Sequence, residues 1–88
     1  MKGKELLEAI LECYADVQDL LVADGLEEAV IGIDVHETRL IYSQSECVRI
    51  LMERDDMELT EAMEFLEFNT FCAYMGEHTP IWCNDLFY

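Results

Sequence analysis

The sequence predicts an α+β domain of two layers, three helices against a three-stranded sheet, in the order α-β-β-α-α-β. Three observations lead there. Apolar residues recur at three-to-four spacing over three stretches, as in helices buried along one side. Between the first two stretches stand β-branched runs, A-V-I-G-I-D-V and R-L-I-Y, too short for typical helices. Near the end Gly76 and Pro80 stop the last helical pattern and hand over to Ile81 and Trp82. The chain of 88 residues suits one domain, 1–88, and its 52% hydrophobic content excludes a disordered chain.

The first helix is expected from Lys4 to about Asp24. Leu6, Leu7, Ile10, Cys13, Tyr14, Val17, Leu20 and Leu21 form its apolar face, and Gly25 its stop. Ala29–Val35 hardly alternates, so it reads as an interior strand. His36, Glu37 and Thr38 then turn a hairpin into a second strand, Arg39–Tyr42. Ser43-Gln44-Ser45-Glu46 reads as a capping box for the second helix, which runs to about Arg54, with Arg49 between Glu46 and Glu53 on its wet side.

The third helix carries the densest apolar stretch. Leu59, Ala62, Met63, Leu66, Thr70 and Ala73 form one line; Phe65, Phe68, Cys72 and Met75 form another. Two lines together predict burial on two sides, with Gly76 as the stop. Asn69 falls between the lines and is expected to be partly buried, while Glu77 is expected to bond amides of the Gly76–Pro80 turn. Thr79–Cys83 is the third strand, and 84–88 an aromatic tail. Trp82 and that tail are the best candidates for an exposed aromatic patch.

The run Glu67-Phe68-Asn69, Ala73-Tyr74, Gly76-Glu77 and Thr79-Pro80-Ile81 resembles a family of small bacterial and phage proteins that share E-F-N-x(3)-A-Y-x-G-E-x-T-P-I. The resemblance extends over roughly Ala29 to Trp82 and implies no established activity. The family often has glycine where Asp56 stands, so the turn before the third helix is a point of departure. A role for Glu67, Asn69, Gly76, Glu77, Thr79 and Pro80 in holding the fold is preferred to a role in binding.

Charge is the sharpest functional signal. Twenty acids against five bases leave a formal net charge of −15. Such a surface repels nucleic acid and anionic membranes and attracts basic proteins. Glu5, Glu8, Glu12, Asp16 and Asp19 are expected along one face of the first helix, about one carboxylate per 5.4 Å turn. Glu61 and Glu64 extend the field. A row of fixed carboxylates can imitate a phosphate backbone, which makes a basic, nucleic-acid-binding protein the expected partner. A solvated face that keeps the chain soluble is the plainer reading. Self-association through the third strand and tail, giving a homodimer, is the alternative role.

The remaining chemistry is sparse. Asp34, His36 and Glu37 are close in sequence, and His78 and Cys83 flank the third strand, but no paired zinc-ligand spacing occurs, so neither metal nor cofactor is expected. A third reading centres a small ligand on His78 and the Gly76 turn. No phosphate loop or H-E-x-x-H motif is present, and an acidic field disfavours a reactive thiolate, so an enzyme is not expected. Cys13, Cys47, Cys72 and Cys83 read as buried free thiols of a cytoplasmic protein. No apolar run approaches the roughly 20 residues of a membrane span, and no signal peptide is read.

Overall fold

A computed structural model describes residues 3–71, 73 and 75–87. Helix α1 (Gly3–Cys13) leads through a wound segment and a 3-10 turn (Glu27–Ala29) to strand β1 (Val30–Ile33). Strand β2 (Leu40–Ser43) follows, then helices α2 (Gln44–Arg54) and α3 (Leu59–Leu66), a π-helical turn (Glu67–Phe71) and strand β3 (Ile81–Cys83). The predicted class and element order are those observed.

The sheet order is β1-β2-β3. β1 and β2 form the expected antiparallel hairpin, with Val30 opposite Tyr42 and Ile33 opposite Leu40. β3 runs parallel to β2, because two helices carry the chain back between them. β2 is therefore the interior strand. The expectation of an interior strand at Ala29–Val35 fails: β1 is an edge, and its apolar run reflects α1 packed over it. One side of the sheet presents Val30, Leu40 and Tyr42, all fully buried, to a core completed by Leu7 and Ile10 of α1, Cys47, Val48 and Leu51 of α2, and Ala62 and Leu66 of α3. Tyr42 carries Trp82 at a centroid distance of 5.0 Å, and Trp82 carries Phe71 at the same distance.

α1 ends at Cys13, far short of Asp24. A helix over 4–24 would span about 31 Å at 1.5 Å per residue. A four-residue strand covers only about 13 Å, so its last turns would overhang the sheet. The chain instead turns back. Val17 N donates to Tyr14 O at 3.0 Å, and Asp19 adopts a left-handed φ of 63°. The buried Tyr42 hydroxyl accepts from Ala23 N at 2.7 Å and ties the segment to the core, where Leu20, Ala23 and Leu26 pack. Gly25, at φ 88°, shapes the entry to the 3-10 turn and stops no helix.

α3 is also shorter than its apolar pattern. The π-helical turn places Phe71 five residues after Leu66, so the core line reads Ala62, Leu66, Phe71, where regular α spacing would bring Thr70. The second line is left outside: Phe65, Phe68 and Met75 are exposed, so α3 is buried on one side only. Cys72, Tyr74 and Tyr88 lie outside the described residues. Asp56, the departure from the family pattern, takes a left-handed φ of 56°, a conformation that glycine adopts without strain and that short polar side chains tolerate.

Candidate functional site

Glu5, Glu8 and Glu12 sit on one side of α1, opposite Leu7, Ile10 and Tyr14. A hundred degrees per residue puts the three carboxylates within about 60° of each other, spread over about 10 Å of axis. All three are exposed. Asp16 and Asp19 are exposed too, but they lie on the wound segment and do not continue the helical row. Glu61 and Glu64 are exposed on α3. α1 packs on β1 and the 3-10 turn, whereas α3 packs on α2 and the π-helical turn. The seven acids are thus distributed over two helices and a loop. Glu61 has a local task as well, since its Oε1 accepts from Glu58 N at 3.4 Å and helps close the first turn.

Apart from Lys4 at the start of α1, the cations of the described residues are gathered elsewhere. No lysine or arginine occurs in 5–38 or in 55–88. Arg49 bonds Glu46 at 3.0 Å and Glu53 at 2.7 Å, so the expected pairing along α2 is present. Arg54 pairs with Asp55, and Arg39 with Glu37. Lys4, Arg49 and Arg54 line one shallow depression with Glu27, Glu28 and Glu53. Among the described residues, none of Glu5, Glu8, Glu12, Asp16, Asp19, Glu61 or Glu64 enters an ion pair.

The motif residues near the end hold a turn together. Thr79 is its hub: Oγ1 accepts from Met75 N at 2.8 Å and donates to Gly76 O at 2.7 Å, while its carbonyl accepts from Arg39 Nε. Gly76 takes φ 114°, which a β-carbon would strain. His78 Nδ1 lies 3.1 Å from Thr38 O, so the turn is also pinned to the hairpin. Pro80 is buried behind it. Glu77, expected to bond the turn amides, is exposed; Thr79 does that work because its shorter side chain reaches back within the turn. Asn69 is exposed, not partly buried. Its Nδ2 donates to Phe65 O at 3.1 Å, within its own helical segment, where the regular ladder gives way. Glu67 is exposed on the same turn. Glu37, Arg39, Gly76, Glu77, His78 and Thr79 surround an open pocket of about 440 Å³, the place a small ligand would take. Among the described residues no three His, Cys, Asp or Glu side chains converge on a metal position.

Asp85 is the residue that sequence reasoning missed. The Ser43 hydroxyl caps α2 as expected, accepting from Glu46 N at 3.2 Å. The reciprocal partner is not Glu46, which turns to Arg49. Asp85 from the tail supplies the carboxylate instead: Oδ2 accepts from Ser43 Oγ at 2.6 Å and Oδ1 from Ser45 N at 2.9 Å. Desolvation pulls the Asp85 carboxyl up, but hydrogen bonds from Ser43 and Ser45 together outweigh it and hold it below its usual value. Nothing local in the sequence signals a pairing across more than forty positions.

The thiols separate. Cys47 is buried, and desolvation, then the charges of Asp85 and Glu46, push it up to about 12, where no thiolate forms at neutral pH. Cys13 is exposed, against expectation, at the last position of α1, where the helix gives way to the wound segment; Cys83 is half-buried. Trp82, expected in an exposed patch, is packed between Tyr42 and Phe71, since β3 turns it toward the core side. Phe87 is exposed.

Comparison with family models, with curated proteins and with solved structures finds no match to this chain. Among the described residues no helix is long and apolar enough to cross a membrane.

Proposed function

We propose that the protein is an acidic protein-binding module that occupies the phosphate-binding groove of a basic, nucleic-acid-binding protein and inhibits it. One observation carries this reading. The carboxylates of α1 and α3 stand exposed and outside every ion pair of the described residues, while the arginines are neutralised on α2 and the hairpin. Pairing acids with bases along a wet face stabilises helices and is what α2 does. Leaving α3 without a base and α1 with Lys4 alone forgoes that gain and creates a field that attracts cationic surfaces. The resemblance to small bacterial and phage proteins favours a phage or mobile-element origin and action in the host cytoplasm, with no direct binding to nucleic acid, no catalysis and no cofactor.

The test is a pulldown from host lysate in which the bound protein is released by moderate salt and displaced by duplex DNA. Charge reversal of Glu5, Glu8 and Glu12 to lysine should abolish capture without altering the circular dichroism spectrum. Capture that survives that change and the parallel reversal of Glu61 and Glu64 would refute the reading.

A further inference from the structure

We propose that the chain also forms a symmetric dimer by pairing β3 with β3 of a second copy. The two edges of the sheet are finished differently. β1 is irregular between Val30 and Gly32 and is flanked by Glu28 and Asp34, devices that discourage strand addition. β3 has no such guard: residues 79–84 contain no charge, and its register with β2 is regular. Beyond the β2 ladder, no described backbone hydrogen bond involves Ile81, Trp82 or Cys83. An open groove of about 690 Å³ adjoins β3, lined by Phe71, Ala73, Pro80 and Ile81 together with Arg39 and Gln44.

The surroundings match. Residues 68–76 also carry no charge, in a chain of net −15. Phe68 is 80% exposed, Met75 65% and Phe87 79%. Phe68 shares the π-helical turn with Phe71, which seats on Trp82 of β3, and Phe87 follows β3 in the tail. The charge distribution selects the occupant. A basic partner is drawn to the acidic helices, whereas the one charged side chain lining this groove is itself a cation, Arg39. A second copy is repelled over most of the remaining surface and meets among the described residues of this strip one carboxylate, Asp85, which is held by Ser43 and Ser45. Antiparallel pairing of two identical edges is self-complementary, as a twofold interface requires. Repulsion between the rest of the two chains is screened by salt, so the dimer strengthens as ionic strength rises. That dependence is opposite in sign to binding of a basic protein, so the two readings fail separately.

Sedimentation velocity of the full chain from micromolar to millimolar concentration is the experiment. The expected result is a species of twice the 10.2 kDa chain mass, favoured by moderate salt. Phe68→Asp with Phe87→Asp should raise the dissociation constant about tenfold or more, as loss of exposed aromatic anchors does. Ile31→Lys on the β1 edge should leave it unchanged. Hydrogen exchange on the unaltered protein should show the β3 amides gaining protection with concentration. A monomer at millimolar concentration in moderate salt overturns the proposal. So does a dimer weakened by Ile31→Lys, or one whose β3 amides stay unprotected.

Discussion

Leu66 and Phe68 stand two residues apart on one apolar stretch, and the fold treats them oppositely. Leu66 is fully buried in the core; Phe68 is 80% exposed. The π-helical turn makes the difference by rotating the chain so that Phe71, not Thr70, continues the core line. The same contrast separates the charges. α2 pairs its acids with arginine, while the outer faces of α1 and α3 are left acidic. Hydrophobicity and charge each serve twice in this molecule, once for the fold and once for the surface, and position alone tells which.

The contrast breaks most sharply at Leu66. Leu66→Ala should cost about 2–5 kcal/mol in urea titrations, the range for truncating a buried leucine. Phe68→Ala should change stability by less than about 0.5 kcal/mol at concentrations where the protein is monomeric. Equal effects would mean that the second apolar line is buried after all. Phe71→Ala should fall between, at about 2 kcal/mol, because it removes a partly buried ring and its contact with Trp82.

A smaller effect is expected at the α2 cap. Asp85→Ala should cost about 1 kcal/mol, the usual worth of a capping interaction. Its pH dependence has a definite sign. A carboxyl whose folded pKa lies below its unfolded value stabilises the fold above the unfolded value, and that stability is lost as pH falls through the folded one. The tail should therefore stay docked at neutral pH and come free in acid, below the ordinary aspartate value of 3.8. Hydrogen exchange at Ser45 N, compared between pH 6 and 3, reads this directly once intrinsic rates are removed. The smallest effect concerns the whole surface. Moderate salt should raise the melting temperature by screening self-repulsion; a flat or falling trend would mean that the carboxylates do not oppose folding.

The class of fold, the order of its elements, the hairpin, the Ser43 cap and the Arg49 pairs were legible because each rests on neighbours in the chain. Periodicity reports which residues are apolar, and capping reports what stands within one turn. The length of α1 was not legible, since Val17, Leu20 and Leu21 keep helical spacing in the sequence, yet the chain winds back there and of the three Leu20 packs on the core. The end of α3 was not legible, because the turn brings Phe71, not Thr70, against Trp82, a contact across eleven positions that periodicity does not report. The buried sites expected for Cys13 and Asn69 failed because both residues stand where a predicted helix was broken or shifted.

The acidic field is fixed by the sequence alone: with no base in 5–38 or 55–88, no folding arrangement could neutralise those stretches locally. Only the tertiary structure decided where the apolar excess goes. A small core accepts one line of each helix, so Phe65, Phe68 and Met75 go to the surface. It also decided which edge of the sheet is guarded, because strand order follows from the parallel return through α2 and α3. Asp85 reaches Ser43 for the same reason: β3 lies beside β2, and residues forty positions apart become neighbours.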